Sequence, residues 1–87
     1  MIETMDVFEE LKKIIIEELL IHDEDNQTIT LESILTEMGA TDIDVLDIIE
    51  ASADRFGISI PDSEGDIFFT GTIKQIVKKI NDLIILS

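Results

Sequence analysis

The chain has 87 residues, 45% of them hydrophobic, and a formal charge of −14 from 20 acidic and 6 basic side chains. A chain of this length buries roughly 60–65% of the surface its unfolded form exposes, enough for one core and too little for a deep catalytic cleft. The charge excludes a phosphate-backbone binder, which needs Lys and Arg to neutralise phosphates, and makes anionic membrane surfaces poor partners.

One domain over 1–87 is therefore expected. The many carboxylates repel one another, which costs stability, and their field attracts basic surfaces. With no Trp or Tyr there is little aromatic surface for stacking nucleic-acid bases. The absence of cysteine excludes a disulfide framework and a thiolate metal site. No basic segment followed by an apolar run marks a secretory signal, and no stretch approaches the roughly 20 apolar residues of a membrane span. The expectation is a soluble cytoplasmic monomer that binds neither nucleic acid nor metal.

A first helix is predicted over about 5–20. Val7, Phe8, Leu11, Ile14, Ile15, Leu19 and Leu20 recur at helical spacing, with Glu9, Glu10, Lys12, Lys13 and Glu17 largely off that face. Asp6 suits an N-cap with Glu9 as its capping-box partner, and Glu9 can pair with Lys13 at i,i+4. His22 to Thr28 is polar and acidic and reads as a connector. Asp23-x-Asp25-x-Gln27 faintly resembles a calcium loop, but Thr28 stands where that loop needs Gly and Ile34 where it needs a bidentate Glu. His22, the only histidine, reads as a surface residue.

Residues 29–38 carry Ile29, Leu31, Ile34, Leu35 and Met38 and are predicted as an extended, partly helical loop packing on the first helix. Gly39 ends it. A second helix is predicted over 42–56, with Ile43, Leu46, Ile49, Ala53 and Phe56 as its apolar stripe, Ile48 and Ala51 beside them, and Asp44, Asp47, Glu50 and Asp54 outside. Gly57 suits its C-terminal stop, and Pro61 holds Ile60 extended. Asp62-Ser63-Glu64 can open a short helical turn that presents Ile67, Phe68 or Phe69 to the core, and Gly65 weakens any such helix. The last helix is predicted to start around 70–72 with a capping box from Thr72 to Gln75. Its apolar face is Ile73, Ile76, Val77, Ile80, Leu83 and Ile84, and Lys74, Lys78 and Lys79 lie outside. No run alternates with period two, so no strands are expected. The fold class is all-α, a bundle of three main helices plus one short helix, with a long first loop.

Two segments flank the second helix: Met38-Gly39-Ala40-Thr41-Asp42-Ile43-Asp44 before it and Phe56-Gly57-Ile58-Ser59-Ile60-Pro61-Asp62 after it. Together they resemble the acyl carrier proteins, whose pattern is Leu-Gly-Ala-Asp-Ser-Leu-Asp, then Phe-x-x-x-Ile-Pro-Asp. The resemblance covers nearly the whole chain. In that family the serine opening the second helix carries a 4′-phosphopantetheine arm, a cavity between the helices shelters the acyl chain, and acidic residues of the second helix dock on Arg and Lys patches of partner enzymes. The resemblance places Asp42, Ile43, Asp44, Asp47, Glu50 and Asp54 on that docking surface, and Ile48, Ile49, Ala51 and Phe56 on the inward side.

The chain departs from the pattern at three places. Asp42 occupies the serine position, and Thr41 lies one residue early. Glu50 replaces a residue that is usually apolar. Ser52 replaces a usual large apolar core residue. Ser33, Ser52, Ser59, Ser63 and Ser87 all sit outside the attachment context. No bound 4′-phosphopantetheine is expected unless the serine is restored. Asp42 favours the helix dipole in the first turn, and its charge can also imitate the phosphodiester of a loaded carrier. With one His, no Cys and dispersed carboxylates, the chain is not expected to be an enzyme. The resemblance implies an acyl carrier protein-like protein of fatty-acid or polyketide-type metabolism, unloaded, docking on basic surfaces of acyl-metabolism enzymes. The alternatives are a genuine carrier whose serine has been replaced and an unrelated acidic helical adaptor.

Overall fold

The computed structural model describes residues 6–20 and 29–86. The expectations for His22, the acidic connector with its calcium-like spacing, and Ser87 fall outside the described residues. Four α-helices run in chain order, α1 (Val7–Leu19), α2 (Asp42–Phe56), α3 (Asp62–Thr70) and α4 (Ile73–Leu86), with a 3-10 helix (Leu35–Met38) ahead of α2. Among the described residues there is no strand, only an isolated antiparallel bridge between Ile34 and Thr72. The all-helical bundle follows from four amphipathic segments with no competing period-two pattern.

α1 starts where the Asp6 carboxylate accepts a hydrogen bond from the Glu9 backbone N–H at 3.2 Å. Val7, Leu11, Ile14 and Ile15 are buried, and Phe8, Ile16 and Leu19 pack at the edge of the core. Leu20 does not continue the stripe. It takes a left-handed conformation (φ 58°) and leaves its side chain 85% exposed. The lysines pair one residue closer than the expected Glu9–Lys13 contact: Lys12 with Glu9 at 3.1 Å and Lys13 with Glu10 at 3.5 Å. The i,i+3 spacing serves both lysines at once.

The segment after residue 29 sends Ile29 and Leu35 into the common core. Its backbone binds the head of α4 rather than α1. Ile73 N–H donates to Ser33 O and Lys74 N–H to Leu31 O, both at 2.8 Å. These are first-turn donors that a helix cannot satisfy internally, so the loop acts as the cap. The predicted box is also present, with Thr72 N–H donating to Gln75 Oε1 at 2.8 Å and Gln75 N–H to Thr72 Oγ1 at 3.3 Å. α4 buries Ile73, Ile76 and Ile80.

α3 is longer than the expected turn, nine residues running through Gly65 and including Thr70. A mid-helix glycine costs roughly 0.5–1 kcal/mol relative to alanine. Full burial of Phe68, with Ile67 and Phe69 packed beside it, outweighs that cost. α4 begins at Ile73, directly after the Thr72 cap.

Candidate functional site

The site is built on α2, whose head is fixed by local chemistry. Gly39 turns the chain in the left-handed region (φ 95°), which glycine adopts without a Cβ penalty. Two residues later Thr41 caps the helix. Its Oγ1 accepts from the Asp44 N–H at 3.1 Å, while Asp44 Oδ2 accepts from the Thr41 N–H at 3.0 Å. This is a reciprocal capping box. Asp42 is the first helical residue and is exposed. Asp42 and Asp44 both lie in the first turn, where each carboxylate gains roughly 0.3–1 kcal/mol from the helix dipole. At the far end Gly57 (φ 66°) closes α2, and Ile58 N–H reaches back to Ala53 O.

The face that α2 buries differs from the predicted stripe. Val45, Ile48 and Ser52 are buried, while Ile43 is 70% and Leu46 51% exposed. Ile49, Ala51 and Phe56 pack against the core from the sides. Apolar residues surround the first half of α2, so spacing alone satisfies two stripes. Packing selects the one turned into the core that α1 and α4 share. Ser52 sits fully buried, and its Oγ has no hydrogen-bond partner among the described residues.

Outside, Ile43, Asp47, Glu50 and Asp54 follow one another at helical spacing and are exposed, and Asp42 extends the set at the helix head. Asp44 stands apart, half-buried and held in the capping box. Five of the chain's six Lys and Arg side chains are paired elsewhere. Lys12 pairs with Glu9, Lys13 with Glu10, Lys78 with Asp82 and Lys79 with Glu64. Arg55 reaches from α2 to Glu10 of α1 at 2.7 Å, with Glu17 at 3.9 Å. The guanidinium beside Glu10 holds that carboxyl below the usual carboxylate range, and hydrogen bonding to Glu64 raises Lys79 above the usual lysine range. No ion pair joins a described cation to Asp42, Asp47, Glu50 or Asp54. The predicted basic cluster of α4 is thus partly neutralised within the fold.

Beside the exposed Leu46 a groove of about 270 Å³ opens between α2 and α3. Leu46, Ile49, Ile60 and Phe69 line it, with Asp62 and Asp66 also on its walls.

No family model matches the chain. Curated relatives do. An acyl carrier protein of Campylobacter hominis is 34% identical over 80 residues, 91% of this chain and 95% of the relative. One of Campylobacter concisus is 36% identical over 63 residues, 71% of this chain and 78% of the relative. One of Zymomonas mobilis is 31% identical over 77 residues, 88% of this chain and 94% of the relative. The chain belongs to the acyl carrier protein family.

Its relatives are carriers rather than enzymes, in keeping with the dispersed carboxylates of this member. Within the acyl carrier protein fold described here, sequence reasoning placed Leu46 inward and passed over Val45. It also missed Arg55, which ties α2 to α1 through Glu10. The signal for Arg55 was available in principle: a lone cation on an acidic helix, opposite a neighbour rich in glutamate. Among the described residues no helix is long and apolar enough to cross a membrane.

Proposed function

We propose that this chain is an acyl carrier protein-like protein of fatty-acid or polyketide-type acyl metabolism that is not itself loaded. It acts as a cytoplasmic monomer by docking the outer face of α2 on basic surfaces of acyl-metabolism enzymes. The observation that carries the docking is the row Asp42, Asp47, Glu50 and Asp54, exposed and without an ion-paired cation among the described residues, with Ile43 and Leu46 exposed among them. A solvated helix face on a charge-balanced protein would share its cations. Here five of the six Lys and Arg side chains are paired with carboxylates of α1, α3 and α4, and the net charge of −14 strengthens encounter with a positive partner.

The missing load rests on Asp42. The family's phosphopantetheine arm is joined through a hydroxyl, and by position in the motif Asp42 stands where that serine belongs. A carboxylate supplies no such hydroxyl and repels a phosphate. The adjacent Thr41 Oγ1 is engaged in the cap, and Ser52, the other hydroxyl of α2, is buried. These residues do not fit the arm.

The test is the Asp42→Ser variant, incubated with a phosphopantetheinyl transferase and coenzyme A and weighed intact. The variant is expected to gain one phosphopantetheine. In that background Asp47→Lys with Glu50→Lys is expected to slow loading about tenfold or more, since electrostatic steering commonly contributes that much to encounter. Unchanged loading of the charge-reversed protein would contradict the docking. Failure of Asp42→Ser to load would mean that the recognition face differs from a carrier's.

A further inference from the structure

A second depression lies at the opposite end of α2 from Asp42. It is an open trough of about 820 Å³ between the C-terminal half of α2, the turn after it, and the last turn of α4. One wall is acidic: Glu50 and Asp54 lie four residues apart on α2, both exposed and neither ion-paired among the described residues. The other wall is apolar: Leu83 is half-buried and Leu86 80% exposed. Ala53 and Ile58 also line the trough.

We propose that this trough seats an amphipathic helix of the protein partner, with Arg or Lys side chains four residues apart on Glu50 and Asp54 and an apolar side chain against Leu83 and Leu86. The proposal rests on α2 being a docking face and specifies what docks at its far end. Three features select this occupant. Side chains four apart on a helix lie about 5–6 Å from one another, so a partner helix repeats the spacing of the two carboxylates. The walls differ in kind, one charged and one apolar, which matches the two faces of an amphipathic helix laid in a groove. The volume falls within the range of small-molecule pockets, about 300–1,000 Å³, yet the trough is open along its length and would cover a small ligand on one side only. Among the described residues no cation pairs with either carboxylate, so the partner supplies the charge.

The experiment uses the full chain and two synthetic peptides of identical composition. One is helical, with two Arg four residues apart and leucines on the same face; the other has those residues scrambled. Affinities are measured by calorimetry for the wild-type chain, Leu86→Ser and the Glu50→Gln, Asp54→Asn pair. All these side chains are exposed, and circular dichroism checks that the variants stay folded. The amphipathic peptide is expected to bind at least about tenfold tighter than the scrambled one, the scale of one buried leucine side chain. Leu86→Ser is expected to remove about fivefold or more of that advantage, and the charge-neutralised pair to remove its salt dependence.

If the charge-neutralised pair weakens binding and Leu86→Ser does not, docking on α2 stands and the trough is not the seat. Equal binding of the two peptides overturns the proposal in the same way. If neither peptide binds, the trough proposal falls, while the docking of α2 stays separately decided by the loading of the charge-reversed Asp42→Ser protein. Sedimentation of the wild-type chain completes the set: self-association abolished by Leu86→Ser would assign the trough to a second copy instead.

Discussion

Both faces of α2 carry apolar residues, yet they meet opposite fates. Inward, Val45, Ile48 and Ser52 are sealed from solvent. Outward, Ile43 and Leu46 remain in water beside unpaired carboxylates. α1 differs: its Glu9, Glu10 and Glu17 share Lys12, Lys13 and Arg55. A helix that keeps apolar side chains exposed and whose outer carboxylates pair with no cation among the described residues is under-satisfied. That imbalance is what a partner surface of opposite charge would correct.

The largest expected effect comes from the inner face. Ile48→Ala should destabilise the chain by about 2–5 kcal/mol, because a fully buried side chain leaves a cavity. Asp47→Asn, one residue away and outside, should change stability by no more than about 0.5 kcal/mol. Chemical denaturation of both variants measures the contrast, and comparable losses would erase the distinction between the faces. Next is Ser52, the flaw in the inner face. Ser52→Ala removes a buried hydroxyl with no partner and should stabilise by about 1 kcal/mol. A loss of stability would show that the hydroxyl is satisfied within the core.

The smallest effect concerns the ion pair that ties α2 to α1. Arg55→Met should cost roughly 0.2–1 kcal/mol at neutral pH, as expected for a solvent-exposed pair. Because Arg55 depresses the folded-state pKa of Glu10, the contribution is complete above the unfolded carboxyl pKa of about 4.3. It disappears as pH falls through the lower folded value. Denaturation at neutral and strongly acidic pH should therefore show a difference between Arg55→Met and wild type only in the former. A difference that persisted in acid would assign the role of Arg55 to packing.

Much of the fold was legible because it is written in short-range chemistry. Asp6, Thr72 with Gln75, and Gly57 mark helix ends through their own side chains or backbone, and all act where expected. What was not legible depends on neighbours. The burial of Val45 rather than Leu46 is decided by where α1 and α4 lie, which helical periodicity cannot supply when apolar residues surround the helix. The length of α3 depends on a socket for Phe68, which overrides the local penalty of Gly65. At the candidate site the acidic residues of α2 could be read directly from the chain. Their lack of cations could not, since it needs the location of every lysine. Asp44 shows the converse: it reads as part of the acidic face but is held in the cap by Thr41.

The central claim is that this member of a carrier family works without a covalent load. The most direct measurement is the intact mass of the unaltered chain after incubation with a phosphopantetheinyl transferase and coenzyme A, with an acyl carrier protein loaded in parallel as the positive control. The account predicts no change in mass for this chain. A gain of one phosphopantetheine would contradict it.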